Sequence, residues 1–183
     1  MHAISIVASF LLLALSAKAL PPVKDTSSNG WVIESLSQSE HKLAYLLSTK
    51  DYAALDEVMT QDIIYDATDL GEYGGKTEGL TETVAGLRAN GEGAKVEAIV
   101  SNLLLLDLIS PKKAKTSTYI TRSRWVENAL DDIKETYRVF YRCEDIWVLE
   151  GGAWKLQYSK VYNMGYGVEA PYYGKTGPTN EQD

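Results

Sequence analysis

Residues 133–163 read IKETYRVFYRCEDIWVLEGGAWKLQYSKVYN, and this stretch decides the fold class. Every second residue of its first run gives Tyr137, Val139, Tyr141, Cys143, Asp145, Trp147 and Leu149. That face is apolar and aromatic except for the carboxylate of Asp145. The alternate face, Lys134, Thr136, Arg138, Phe140, Arg142, Glu144, Ile146 and Val148, is much more polar. Side chains alternate across a strand, so a period of two marks a strand with one buried face. Gly151-Gly152 supplies the turn of a hairpin. The return run puts Trp154, Leu156, Tyr158 and Tyr162 on one face, with Lys160 as the exception. The expectation is a broad aromatic sheet surface with one acid set into it.

Upstream of this hairpin the pattern changes. Val32, Leu36, Leu43, Leu46 and Leu47 form one helical stripe over residues 31–49. Ser37 with Glu40 three residues on has the form of a capping box, which would start the regular helix later than Trp31. His41 and Tyr45 lie four apart and share a face. Residues 51–59 read as a second short helix with Asp51 at its N-cap, residues 62–67 as a short strand, and residues 68–75, with three glycines, as a loop. Residues 77–89 form a third helix that closes at Asn90-Gly91. Long strands follow at 95–107 and 114–127. The first holds the continuous apolar run Leu103 to Leu106, expected to be buried on both sides. The second carries Tyr119, Thr121, Ser123 and Trp125 on one face and Thr118, Ile120, Arg122 and Arg124 on the other.

Residues 4–16 are an unbroken run of apolar and small residues followed by Ala17-Lys18-Ala19, which has the form of a cleavage site. Residues 1–19 are therefore expected to be a secretory signal peptide, with the mature chain secreted or in the secretory pathway. Residues 20–30 make a flexible lead-in, residues 31–163 the domain, and residues 164–183 a Gly-, Pro- and Tyr-rich tail. The apolar run is short for a membrane span, so none is expected once it is removed. Cleavage removes one lysine, leaving 17 Lys+Arg against 25 Asp+Glu and a formal charge of −8 instead of −7. Such a surface repels phosphate backbones, so no nucleic-acid partner is expected.

Cys143 is the only cysteine, so no intrachain disulfide forms. Its setting on an apolar face reads as a small buried hydrophobe, with a nucleophile as the alternative. Without residues 1–19, His41 is the only histidine, which excludes two-histidine metal sites within one chain. No metal is expected.

The order helix, helix, short strand, helix, strand meander carries three local motifs: Tyr45 with Lys50-Asp51-Tyr52-Ala53-Ala54-Leu55, then Ile64-Tyr65-Asp66, then Glu150-Gly151-Gly152-Ala153-Trp154-Lys155-Leu156. Together they resemble the SnoaL-like branch of the nuclear transport factor 2-like superfamily over roughly residues 35–163. The resemblance implies an α+β fold, a cone-shaped, curved, mostly antiparallel sheet wrapped around three N-terminal helices in the order α-α-β-α-β-β-β-β. Polyketide cyclases, scytalone-dehydratase-like lyases and steroid isomerases share that fold, as do proteins that only bind or assemble. Leu47 and Ser48 stand where dehydratase-like members carry an Asp, and residues 95–99 hold no His where many members have one. Asp145 matches the acid of the family's late Tyr-x-Asp pattern, with Cys143 in place of the Tyr. Family position also puts Asp66 near the pocket.

A carboxylate on an apolar face should have a raised pKa unless a cation or several donors reach it. It can then act as acid or base near neutral pH. Asp145, Asp66 and His41 are the candidate catalytic residues. Tyr45, Tyr65, Tyr119, Tyr141 and Tyr158 are candidate hydroxyl donors, and Trp125 and Trp147 candidate stacking surfaces for a flat ligand. This set fits a cofactor-independent cyclase, isomerase or dehydratase, including a pericyclase, acting on a small hydrophobic secondary metabolite. The alternatives are a binding module of the same fold, or a protein that dimerises through its outer sheet face. Two other placements remain open for Asp145: pairing with Arg122, Arg124 or Arg138, or a bulge that turns it outward. For His41 the other reading is a solvated helix-surface residue.

Overall fold

The computed structural model describes residues 29–126 and 136–165. The expected signal segment, nearly all of the expected lead-in and most of the tail fall outside these residues. Helix α1 (Gly30–Thr49) is followed by a 3-10 helix (Tyr52–Glu57), strand β1 (Met59–Asp66), a second 3-10 helix (Thr68–Tyr73), β2 (Lys76–Glu78) and helix α2 (Leu80–Gly91). Strands β3 (Ala94–Ser110), β4 (Lys113–Val126), β5 (Thr136–Glu150) and β6 (Ala153–Asn163) follow. The six strands form one sheet in the order β2-β1-β6-β5-β4-β3. Among the described strands only the β1–β6 pair is parallel. This is the expected α+β architecture of helices laid on a curved, mostly antiparallel sheet. The second expected helix is a 3-10 turn, and the glycine loop holds another.

The face of β5 that reads as apolar is the buried one. Val139, Tyr141, Cys143, Asp145 and Trp147 are all buried. The β4–β5 ladder runs without a shift from Lys113↔Val148 to Trp125↔Thr136. It follows that Ala114, Thr116, Thr118, Ile120 and Arg122 share the inner face with Asp145.

The return strand departs from strict alternation. The β5–β6 register shifts between Ile146↔Tyr158 and Trp147↔Leu156, which makes Gln157 an extra residue. A bulge reverses the faces beyond it. Trp154 and Leu156 stay inside, and past the bulge Ser159 and Val161 turn in while Tyr158, Lys160 and Tyr162 turn out.

Strand β3 is a sheet edge with three register shifts. Leu103 and Leu105 pack on the core, but Leu104 and Leu106 are exposed, so the leucine run is buried on one side only. Among the described residues no strand or helix covers the outer face of this edge, which is why the expectation of two buried sides fails.

Two apolar clusters hold the fold. The larger joins Val32, Leu36, Leu43 and Leu46 of α1 to Met59, Ile63, Trp147, Trp154 and Leu156. The smaller gathers Ala67, Val139, Tyr141, Cys143 and Val161. Fully burying one such large side chain contributes roughly 1.5–3 kcal/mol. Among the described residues no helix is long and apolar enough to cross a membrane.

Candidate functional site

Helix α1 begins at Gly30, so Ser37 and Glu40 lie inside it and form no capping box. Leu36, Glu40, Leu43 and Leu47 recur at helical spacing, which places Glu40 on the stripe that faces the sheet. Two ties fix the helix on either side of Glu40. Trp154 Nε1 donates to Ser35 Oγ at 3.1 Å, and the Ala98 amide donates to Ser48 Oγ at 2.9 Å. Glu40 is thereby aimed at the seam between the two apolar clusters, where it meets Asp145.

Both acids are 2% exposed. Glu40 Oε2 and Asp145 Oδ1 each lack a hydrogen-bond partner among the described residues. A buried unpaired carboxyl oxygen is costly, and two facing carboxylates cost more. The cheapest remedy is to keep protons on the pair. Burial raises Glu40 well above the usual carboxylate range, and the Asp145 charge raises it further. The Thr118 hydroxyl opposes that rise from a position outside hydrogen-bond geometry. Burial also lifts Asp145, to about 7, against the opposing pull of the Ser159 hydroxyl. Ser159 is the residue the bulge turned inward, directly opposite Asp145 in the ladder. Like-charged acids that share a site titrate as a pair, so near neutral pH this one holds a proton donor beside a nascent base.

The space around the pair is small, about 30 Å³, room for one or two waters. Tyr65, Tyr141 and Cys143 complete its polar lining, with Leu43, Met59 and Ile120 among the apolar walls. Burial holds the Cys143 thiol protonated, and the two acids reinforce this, so it is a small hydrophobe and not a nucleophile. Burial likewise keeps the protons on Tyr65 and Tyr141, so each has a hydroxyl to donate. A second cavity of about 250 Å³ shares Tyr65 and Leu87 with the first. It is lined by β1, the glycine segment, α2 and Arg122 of β4.

Of the residues marked out by sequence, Asp145, Tyr65 and Tyr141 come together here. The rest do not. Asp66 points to the other face of β1, where Lys160 Nζ donates to Oδ2 at 2.9 Å and Thr68 Oγ1 to Oδ1 at 2.6 Å. The Thr68 hydroxyl and the Lys160 ammonium hold it down at about 2, too acidic for proton transfer near neutrality. His41 is exposed on α1, its Nδ1 2.7 Å from the Ser37 carbonyl oxygen. Tyr45 is 65% exposed one turn on. Tyr119 and Trp125 lie on the outer face of β4, and Tyr158 was turned outward by the bulge. Trp147 is fully buried beneath the site and lines neither cavity. Its Nε1 donates to Thr116 Oγ1 at 3.0 Å. Among the described residues no cluster of three or more His, Cys, Asp or Glu side chains could hold a metal ion.

Sequence reasoning missed Glu40. The available signal was an acid on a helical apolar stripe, four residues after Leu36 and three before Leu43.

Residues 31–160 match the SnoaL-like domain. No curated protein matches the chain. Among solved structures it resembles a candidate scytalone dehydratase from Novosphingobium aromaticivorans, with a TM-score of 0.65 and 14% identity, covering 76% of this chain and 89% of that one. A protein from Kribbella flavida gives a TM-score of 0.66 at 15% identity, over 78% and 96% of the two chains. An uncharacterized protein with a cystatin-like fold from Caulobacter vibrioides gives 0.57 at 11%, over 73% and 89%. At these identities the likeness establishes the fold alone.

Proposed function

The chain belongs to the SnoaL-like family, and from that premise we propose that it is a cofactor-independent isomerase, dehydratase or cyclase acting on a small hydrophobic secondary metabolite. One observation carries the reading: two buried acids from different elements face one chamber, each with an oxygen that has no partner among the described residues. Asp145, as carboxylate, takes a proton from the carbon next to a substrate carbonyl. Glu40, as carboxylic acid, donates its proton to the carbonyl oxygen, giving the neutral enol. Return of a proton to a different carbon completes an isomerisation. Loss of a β-hydroxyl as water, protonated as it leaves, completes a dehydration. Tyr65 and Tyr141 donate hydrogen bonds to the oxygen that gains charge. General acid–base catalysis of this kind contributes about 10²–10⁴-fold.

The test is solvent deuterium uptake at the carbon beside the carbonyl of small aryl ketones, followed by NMR. Wild-type protein should accelerate exchange and Glu40→Gln should not. Exchange equally fast with both proteins would sink the acid-pair mechanism.

A binding module is the second reading. The confined space beside the acids favours it, since a ligand in the larger cavity has little room to reach them. Tight ligand retention with no exchange by any variant would establish it. A homodimer through the outer sheet face is supported by exposed Ile99 and Phe140, which flank Thr121 at one level of the sheet. Sedimentation showing a monomer at all concentrations would refute that. Secretion rests on the apolar run 4–16 and the Ala17-Lys18-Ala19 site, and a chain that stays in the cell with residues 1–19 still attached would count against it.

A further inference from the structure

The larger cavity has a composition the acid-pair reading does not use. Its described lining is mostly small or apolar: Ala67, Leu70, Gly74, Gly75, Gly86 and Leu87. Arg122, a half-buried residue, is the only charged one among the described lining residues. Its neighbours on β4 and β5 have partners. Arg138 Nε donates to Ser123 Oγ at 3.1 Å, Arg142 Nη2 approaches Glu144 at 3.3 Å, and Arg124 Nη2 donates to the Glu92 carbonyl oxygen at 3.3 Å. Arg122 makes no hydrogen bond or ion pair with any described residue. It pairs across the sheet with Val139 and Ala98, neither of which offers a side-chain acceptor. A guanidinium carries five donors in a planar fork, and leaving them idle in a partly enclosed apolar cavity is unfavourable unless something else accepts them.

The same cavity supplies further polar groups. Thr77 Oγ1 and Thr83 Oγ1 lie 2.8 Å apart in the lining, and Asn90 stands at the end of α2. The acids lie past the shared wall of Tyr65 and Leu87. The two cavities thus differ in chemistry, one cationic and roomy, one acidic and tight.

We infer that the larger cavity is a subsite for a carboxylate, held by Arg122, on a ligand whose apolar body points past Tyr65 toward Glu40 and Asp145. This rests on the acid-pair reading for where the far end of the ligand goes, but not for the anion site itself. The ligand is then amphipathic, a small monocarboxylate, and not uniformly hydrophobic. Bidentate contact between a guanidinium and a carboxylate is among the stronger polar interactions available. An acid at the Arg122 end is accepted, whereas one at the Glu40 end is repelled, so the site also sets ligand direction.

Phenylacetate and phenylacetamide test this, since they share shape and differ in charge. Binding is measured by NMR titration on wild type, Arg122→Gln, Arg122→Lys and Glu40→Gln, with circular dichroism confirming that each variant is folded. Wild type should prefer phenylacetate by about tenfold, R122Q should lose that preference, and R122K should recover part of it. E40Q should retain the preference whatever it does to ketone exchange, which separates failure of the subsite from failure of the acid pair. Equal affinity for the two probes, a preference that survives R122Q, or no binding of either at millimolar concentration would each overturn the inference.

Discussion

Asp66 and Asp145 sit on strands of one sheet and end with opposite chemistry. Asp66, on the outer face of β1, has a lysine ammonium and a threonine hydroxyl on its oxygens and is held at about 2. Asp145, on the inner face of β5, has among the described residues no cation on its oxygens, a second acid close by and one unpartnered oxygen, and rises to about 7. The residue type is constant, so burial and neighbours account for the whole difference. One bulge at Gln157 serves both sites: beyond it Ser159 faces Asp145 and Lys160 faces Asp66.

The largest expected effect breaks the comparison at its functional end. Asp145→Asn should lower turnover by about 10²–10⁴-fold, because the amide cannot accept the substrate proton. Asp66→Asn should leave turnover within about twofold, as expected for a group outside the chamber. The check is the ketone exchange rate, with affinity for a bound ligand measured alongside. If Asp66→Asn proves the more damaging, the assignment of the two acids is reversed.

Next in size is the pH dependence of stability, where the two acids should slope in opposite directions. Asp145 and Glu40 both have raised folded-state values, so the folded protein binds more protons than the unfolded chain, for Asp145 between about 4 and about 7. Stability therefore falls as pH rises through that window. Asp145→Asn and Glu40→Gln should each flatten the fall. Asp66 is depressed, so its contribution is full above about 4 and is lost as pH drops toward about 2. As a partly solvated ion pair it is worth about 0.5–1 kcal/mol. Urea unfolding across pH for the three variants measures both slopes, and a fall at neutral pH that persists in both inner variants would contradict the picture.

The inner and outer regions were not equally legible in sequence. The buried face of β5 was, because seven alternating residues define it and no register shift interrupts its ladder with β4. The return strand was not, because one extra residue reverses every side chain beyond it and Gln157 carries no sign of a bulge. On β4 the aromatic residues suggested the wrong inner face. Tyr119 and Trp125 face outward, while modest Thr118, Ile120 and Arg122 line the site. Glu40 was hidden by a competing local pattern, since Ser37 with Glu40 has the spacing of a cap. Whether it caps or faces the core depends on where α1 begins, and packing against Trp154 and β3 decides that. Both catalytic candidates mistaken for inner groups, Asp66 and His41, sit one residue beyond an inward one, Tyr65 and Glu40. A one-residue error of phase is invisible in composition.

A smaller effect sharpens the contrast between the two cavities. A Cβ at Gly74 would lie 1.8 Å from the Ala67 carbonyl oxygen, a backbone atom that cannot step aside. Ala67 is also bound through its amide to the Gly75 carbonyl at 2.8 Å, so the segment is closed on itself. Gly74→Ala should cost about 1–3 kcal/mol and reshape the Arg122 cavity while sparing the acid chamber. Weaker phenylacetate binding with an unaltered ketone exchange rate is the expected pair of results. Loss of exchange in step with binding would mean that the two cavities act as one.

The smallest effect concerns the exposed face of α1, one step round the helix from Glu40. His41→Ala removes a ring whose only described hydrogen bonds are to Ser37, and Tyr45→Ala removes a side chain that is mostly in water. Surface replacements of this kind change stability by no more than about 0.5 kcal/mol. Neither should alter exchange or its pH profile, because no inner group touches them. Together they form the control for Glu40→Gln: three substitutions on one helix, of which only the inward one is expected to matter. A pH–rate profile that moves on removing His41 would place the titrating group on the outside of the helix, and the buried pair would lose its role.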